Sequence, residues 1–94
     1  MKSSGVSRGE AEIIALKILG FLANDHARLN RFLALSGVDL NDLGAGAQSP
    51  DFLAGILNHL LQDEPLLLTF SAEHDLDPRL PALALRALAP IDEV

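Results

Sequence analysis

Apolar residues return at intervals of three and four along nearly the whole chain, with few β-branched residues among them and no stretch that alternates apolar with polar. That spacing sets one face of a helix against a core and does not suit a pleated strand, so the fold class is all-α. Cap chemistry then cuts the pattern into segments. Ser7 and Glu10 stand in S-x-x-E spacing, in which each side chain accepts the other's unsatisfied backbone N–H, and they open a first helix through Ile14, Ile18, Leu19 and Leu22. Asn24-Asp25 breaks it. Asp25 caps a second helix carrying Leu29, Phe32 and Leu33, which ends at Gly37, a residue able to take the left-handed conformation.

Asp39 is expected to cap a short third helix through Leu43, followed by a connecting loop at Gly44-Ala45-Gly46. Ser49-Pro50 places a cap ahead of proline in the first turn of a fourth helix, which holds Phe52, Leu53, Ile56, Leu57, Leu60 and Leu61. Asp63-Glu64-Pro65 starts a fifth, with Leu67 and Phe70 inward. Asp77-Pro78 starts a sixth that runs to about Ala89, ahead of Pro90. Pro81 removes an early hydrogen bond from that helix and argues for a start closer to Leu80.

Sliding the sequence over itself by 38 positions sets Ile18 on Ile56, Leu19 on Leu57, Leu22 on Leu60, Asp25 on Asp63, Leu29 on Leu67, Phe32 on Phe70, Ala34 on Ala72 and Asp39 on Asp77. Chance in a chain this rich in leucine and alanine gives roughly two identities over that length. The match predicts two similar three-helix units, 8–43 and 50–89, which pack their apolar faces together because one alone buries too little surface. With 94 residues, 49% of them apolar, the chain has enough material for one core and too little for two domains. The expected architecture is a compact bundle of five to six short helices over residues 8–90, with a flexible segment at 1–7 and a tail at 91–94.

Positions apolar in one copy and polar in the other single out four leucines: Leu66 opposite Arg28, Leu68 opposite Asn30, Leu35 opposite Glu73 and Leu33 opposite Ser71. Each is either a contact between the units or an exposed patch. They are the candidate interface, and the expected function is that of a protein-interaction or homo-oligomeric module without catalytic activity. The rival expectation is a metal or small-ligand site built from His59, Asp63, His74 and Asp77, since His59 precedes Asp63 by four residues and Glu73-His74 lies close to Asp77. No H-E-x-x-H, G-x-S-x-G, phosphate-binding loop or EF-hand spacing accompanies these residues, so no catalytic residue and no cofactor is expected. Asp25, Asp39, Asp63 and Asp77 read as helix caps, and Arg28 and Arg31 as a solvated face.

A formal charge of −6, with seven scattered bases, argues against nucleic acid, whose phosphates require clustered Lys and Arg. The apolar stretch Ala11–Ala23, behind Lys2 and Arg8, superficially resembles a secretory leader, but it contains Glu12 and Lys17 and falls short of about 20 residues needed to span a bilayer. It reads as a core helix, so no membrane partner is expected. The absence of cysteine suits a reducing compartment, and the expected location is cytoplasmic.

The segments Phe32-Leu33-Ala34-Leu35-Ser36-Gly37-Val38-Asp39, Asp51-Phe52-Leu53-Ala54, Asp63-Glu64-Pro65-Leu66-Leu67-Leu68 and Leu76-Asp77-Pro78 carry a resemblance. From about Glu10 to Ala89 the chain resembles an uncharacterised alphaproteobacterial family of small helical proteins, a domain of unknown function. Pro65 departs from the small residue expected after the acidic pair. The resemblance implies a bacterial cytosolic protein and brings with it no activity, ligand or functional residue.

Overall fold

Ser7 opens the first helix as its spacing requires. Its Oγ accepts the Glu10 N–H at 3.1 Å while Glu10 Oε1 accepts the Ser7 N–H at 3.0 Å, so both sides of the capping box are closed. The computed structural model describes residues 5–39 and 49–88, and among them are five helices and no strand. They are α1 (Arg8–Ala23), α2 (His26–Ser36), α3 (Pro50–Leu61), α4 (Glu64–His74) and α5 (Leu80–Leu88). The short helix expected from Asp39 to Leu43 and the loop at Gly44-Ala45-Gly46 fall on residues 40–48, outside the described residues; Asp39 itself is in no helix.

The α1, α3 and α5 helices pack against one another in pairs, α2 leans on α1, and α4 leans on α3. Each presents the face its spacing sets inward. The core takes Ala11, Ile14, Ala15, Ile18, Phe21 and Leu22 from α1, Leu53, Ile56, Leu57 and Leu60 from α3, and Ala84 and Leu88 from α5. The outer helices contribute one large side chain each, Phe32 from α2 and Phe70 from α4. Full burial of such a residue stabilises the fold by about 1.5–3 kcal/mol, and half-buried Leu33 on α2 and Leu66 and Leu67 on α4 add to the anchorage. Ser71, the polar residue in this set, has its Oγ buried with no hydrogen-bond partner, a cost in stability that leucine periodicity does not reveal.

Several local features of the hairpins α1–α2 and α3–α4 recur at the 38-residue offset. Asp25 Oδ1 accepts from the N–H groups of Ala27 and Arg28, and Asp63 Oδ1 from that of Leu66. Gly37 ends α2 at φ 76°, and the residue opposite it, Asp75, ends α4 at φ 54°. Both are left-handed; aspartate is among the few residues besides glycine that take this conformation without heavy strain. The Phe21 and Phe70 rings meet edge to face at 5.3 Å, and the offset exchanges this pair for His59 and Phe32, which meet edge to face at 5.1 Å. Of the positions opposite α5 at this offset, 42–48 lie outside the described residues. Since α5 packs on both and has no counterpart among the described residues, a pair of three-helix units is not established.

The last helix starts where Pro81 sets it and not at Asp77-Pro78. Asp77 and Pro78 form a turn, and α5 begins at Leu80. The Pro81 ring lacks an N–H and would clash with a carbonyl four residues earlier, so it settles in the first turn, where neither matters. Asp77 therefore caps the turn instead: its Oδ1 accepts the Arg79 N–H at 2.8 Å, and the Leu83 N–H reaches the Arg79 carbonyl at 3.3 Å to start the helix.

Candidate functional site

The α1 helix has two apolar faces. Opposite the core face lie Gly9, Ile13, Leu16, Gly20 and Ala23, all exposed, with Ile13 at 55% and Leu16 at 43% of their full accessibility. No charged side chain interrupts this line. Charged residues flank this line on both margins, Glu10 and Lys17 on one and Arg8 and Glu12 on the other, so it is an apolar strip that faces outward. Beside the N-terminal half of α1, Val6, Glu10, Ile13, Ile14, Leu80 and Leu83 line a groove of about 410 Å³ toward α5, apolar except for the Glu10 side chain.

Neither Ile13 nor Leu16 is among the four leucines expected at an interface. The signal was present: at the same offset Ile13 falls on Asp51 and Leu16 on Ala54, but the matched stretch begins only at Ile18. Of the expected four, Leu35 is 67% and Leu68 49% exposed, and their polar counterparts Glu73 and Asn30 also lie at the surface. Leu33 and Leu66 are half-buried against the core. The four do not form one patch, because Leu66 and Leu68 are turned about 200° from each other on α4.

Leu35 and Leu66 flank a common residue, His59. On one side, Phe32, Leu35, Gly55, Asn58 and His59 line a cleft of about 380 Å³ between α2 and α3. On the other, Arg28, Arg31, His59, Asp63 and Leu66 line one of about 230 Å³. Burial against Phe32 lowers the His59 pKa, and the nearby Arg31 lowers it further, while Asp63 opposes both. His59 therefore favours its neutral form at neutral pH. Arg28, expected on a solvated face, instead lies over the Phe21 ring at 4.5 Å.

The residues of the rival metal reading are dispersed. His59 and Asp63 share a cleft, His74 stacks on Phe70 at 4.6 Å, and Asp77 is engaged by Arg79 Nη2 at 2.8 Å. Among the described residues no group of three or more His, Cys, Asp or Glu is placed to hold a metal ion. The four candidates therefore do not assemble into a centre. Hydrogen bonds from the Arg79 side chain and backbone hold the exposed Asp77 carboxyl at about 2, below its ordinary 3.8. A depressed acid adds stability above its unfolded pKa and loses that contribution as the pH falls through the folded value. Carboxyl NMR titration of Asp77 is expected to give a midpoint near 2, returning toward 3.8 in Arg79→Ala; an unchanged midpoint would show that the pair does not form in solution.

Residues 8–91 match the family model described as protein of unknown function (DUF3572). The chain belongs to that family. No curated protein and no solved structure matches it. In this DUF3572 chain the matched span begins at the first residue of α1 and takes in all five helices. The outward stripe of α1 and both clefts beside His59 are thus parts of the family's domain. No helix among the described residues is long and apolar enough to cross a membrane.

Proposed function

We propose that this protein works by apolar contact with another polypeptide chain, without catalysis, in the cytoplasm. The observation that carries the reading is the outward stripe of α1, with large apolar side chains at Ile13 and Leu16 that the fold leaves half in water. Exposed leucines scattered singly are ordinary, but an uncharged line along a whole helix, adjoining a groove that is apolar except for Glu10, supports a contact surface. Leu35 and Leu68, on other helices, are single exposures and secondary to it. The dispersed His59, Asp63, His74 and Asp77 supply no rival of comparable weight.

A contact surface is dispensable for folding. The double variant Ile13→Asp/Leu16→Asp is expected to keep the wild-type helical circular dichroism and to change stability by no more than about 1 kcal/mol in urea melts, as surface substitutions do. A chain that fails to fold would place both residues in the core and end the reading.

A further inference from the structure

We propose that the partner is a second copy of this chain, joined to the first through the outward stripe of α1 in an antiparallel helix pair. The dimer presupposes the contact role proposed above and names its occupant. From Gly9 to Ala23 the stripe residues are spaced alternately by four and three, the seam period of paired helices. Every one of them is exposed, and they lie directly opposite Ala11, Ile14, Ala15, Ile18, Phe21 and Leu22, so pairing along this seam disturbs nothing in the core.

Charge complementarity selects the occupant. Exposed Glu10 and Lys17 stand along one margin of the stripe. When two α1 helices run antiparallel with Ile13 of each facing Leu16 of the other, Glu10 of each copy comes beside Lys17 of the other, and the two-fold axis makes this pair twice. Only one Glu10 oxygen is taken by the Ser7 N–H, which leaves the other for the lysine. On the opposite margin Arg8 and Glu12 pair within the chain at 4.0 Å, so that edge presents no net charge to its symmetry mate. The same register sets Gly9 against Gly20 of the second copy. A Cβ at either glycine would meet nothing within 4 Å, so the backbones can approach closely at both ends of the seam. Antiparallel pairing also sets the two helix dipoles head to tail, where parallel pairing would align them.

The seam covers about two heptads of a helix roughly 24 Å long, below the length that sustains a coiled coil by itself. It falls short of the surface that a standard stable interface buries, so the dimer is concentration-dependent, in the micromolar range or weaker.

Sedimentation equilibrium from micromolar to millimolar chain is expected to follow the wild type from monomer to dimer. Leu16→Asp stays monomeric, and Lys17→Glu weakens association about tenfold or more by turning both ion pairs into repulsions. The chain contains no cysteine, so introduced ones report without background. Oxidising a mixture of Gly9→Cys and Gly20→Cys chains is expected to give covalent dimer, while Gly20→Cys alone gives little. A wild type that remains monomeric throughout overturns the dimer, and cross-linking of Gly20→Cys alone as readily as the mixture overturns the antiparallel register. A folded Leu16→Asp chain beside a monomeric wild type refutes self-association only, whereas an unfolded Leu16→Asp chain refutes the contact role itself.

Discussion

Phe70→Ala is expected to remove about 3–5 kcal/mol of stability, the usual cost of deleting a buried aromatic. The ring is fully buried, meets the edge of Phe21 at 5.3 Å and lies under His74 at 4.6 Å. It is the main large anchor of α4, whose other side chains are half-buried or exposed except for Ser71. Truncation leaves a cavity walled by α1 and detaches α4 from the core. A small domain commonly has about 5–15 kcal/mol in total, so the loss is a large share of it and the variant should melt early with reduced cooperativity. Phe70→Leu keeps most of the volume and is expected to cost clearly less. Urea denaturation followed by circular dichroism measures both; a loss below about 1 kcal/mol for Phe70→Ala would mean that α4 is held by something other than this ring.

The parts of the fold legible in the sequence are those fixed by local chemistry. Ser7 with Glu10, Asp25, Asp63, Ser49 with Pro50, and Gly37 each act within a few residues of themselves, and each does in space what its spacing implies. Asp75 was not legible, because an aspartate at a helix end has several alternatives and takes the left-handed conformation here only as α4 closes on Leu76, whose N–H reaches the Ser71 carbonyl at 2.9 Å. The start of α5 was legible through Pro81 and not through Asp77, since an aspartate can cap a turn as readily as a helix.

Side-chain exposure was harder to read than helix position. Leu35 and Leu68 are exposed, and so are Glu73 and Asn30, the polar residues opposite them at the offset, so for these two the polar counterpart reports a solvent-facing position. Leu33 and Leu66 depart from that rule in different ways. Leu33 stands opposite buried Ser71, and Leu66 opposite Arg28, whose half-buried side chain reaches over Phe21. A charge or hydroxyl in the sequence does not say whether its stem or its neighbours are covered. The outer face of α1 was obscured for a related reason: its glycines and alanine dilute the apolar signal, and only the three-dimensional placement separates Ile13 and Leu16 from the adjacent core residues Ile14 and Ala15.

Ala84→Leu is expected to destabilise the protein by about 1–3 kcal/mol, while Ala82→Leu, two residues away, changes it by no more than about 0.5 kcal/mol. Alanine and leucine have nearly the same helix propensity, so the comparison isolates packing from local preference. Ala84 is fully buried and sits at the middle of the inward stripe of α5, between Pro81 and Leu88, whereas Ala82 is exposed. The α5 helix packs on α1 and α3 together. The distance between packed helices follows the size of the side chains between them, about 8–10 Å, so a larger residue at Ala84 must push α5 away from both neighbours or force strained rotamers. Leu80, Leu85 and Ala87 also pack against the core around this face, so the extra volume has no free space to enter. Urea midpoints for the two variants decide the matter. Equal midpoints would mean that α5 does not dock through the Pro81, Ala84 and Leu88 face, and the junction of the two hairpins would then have to be held by α1 and α3 alone.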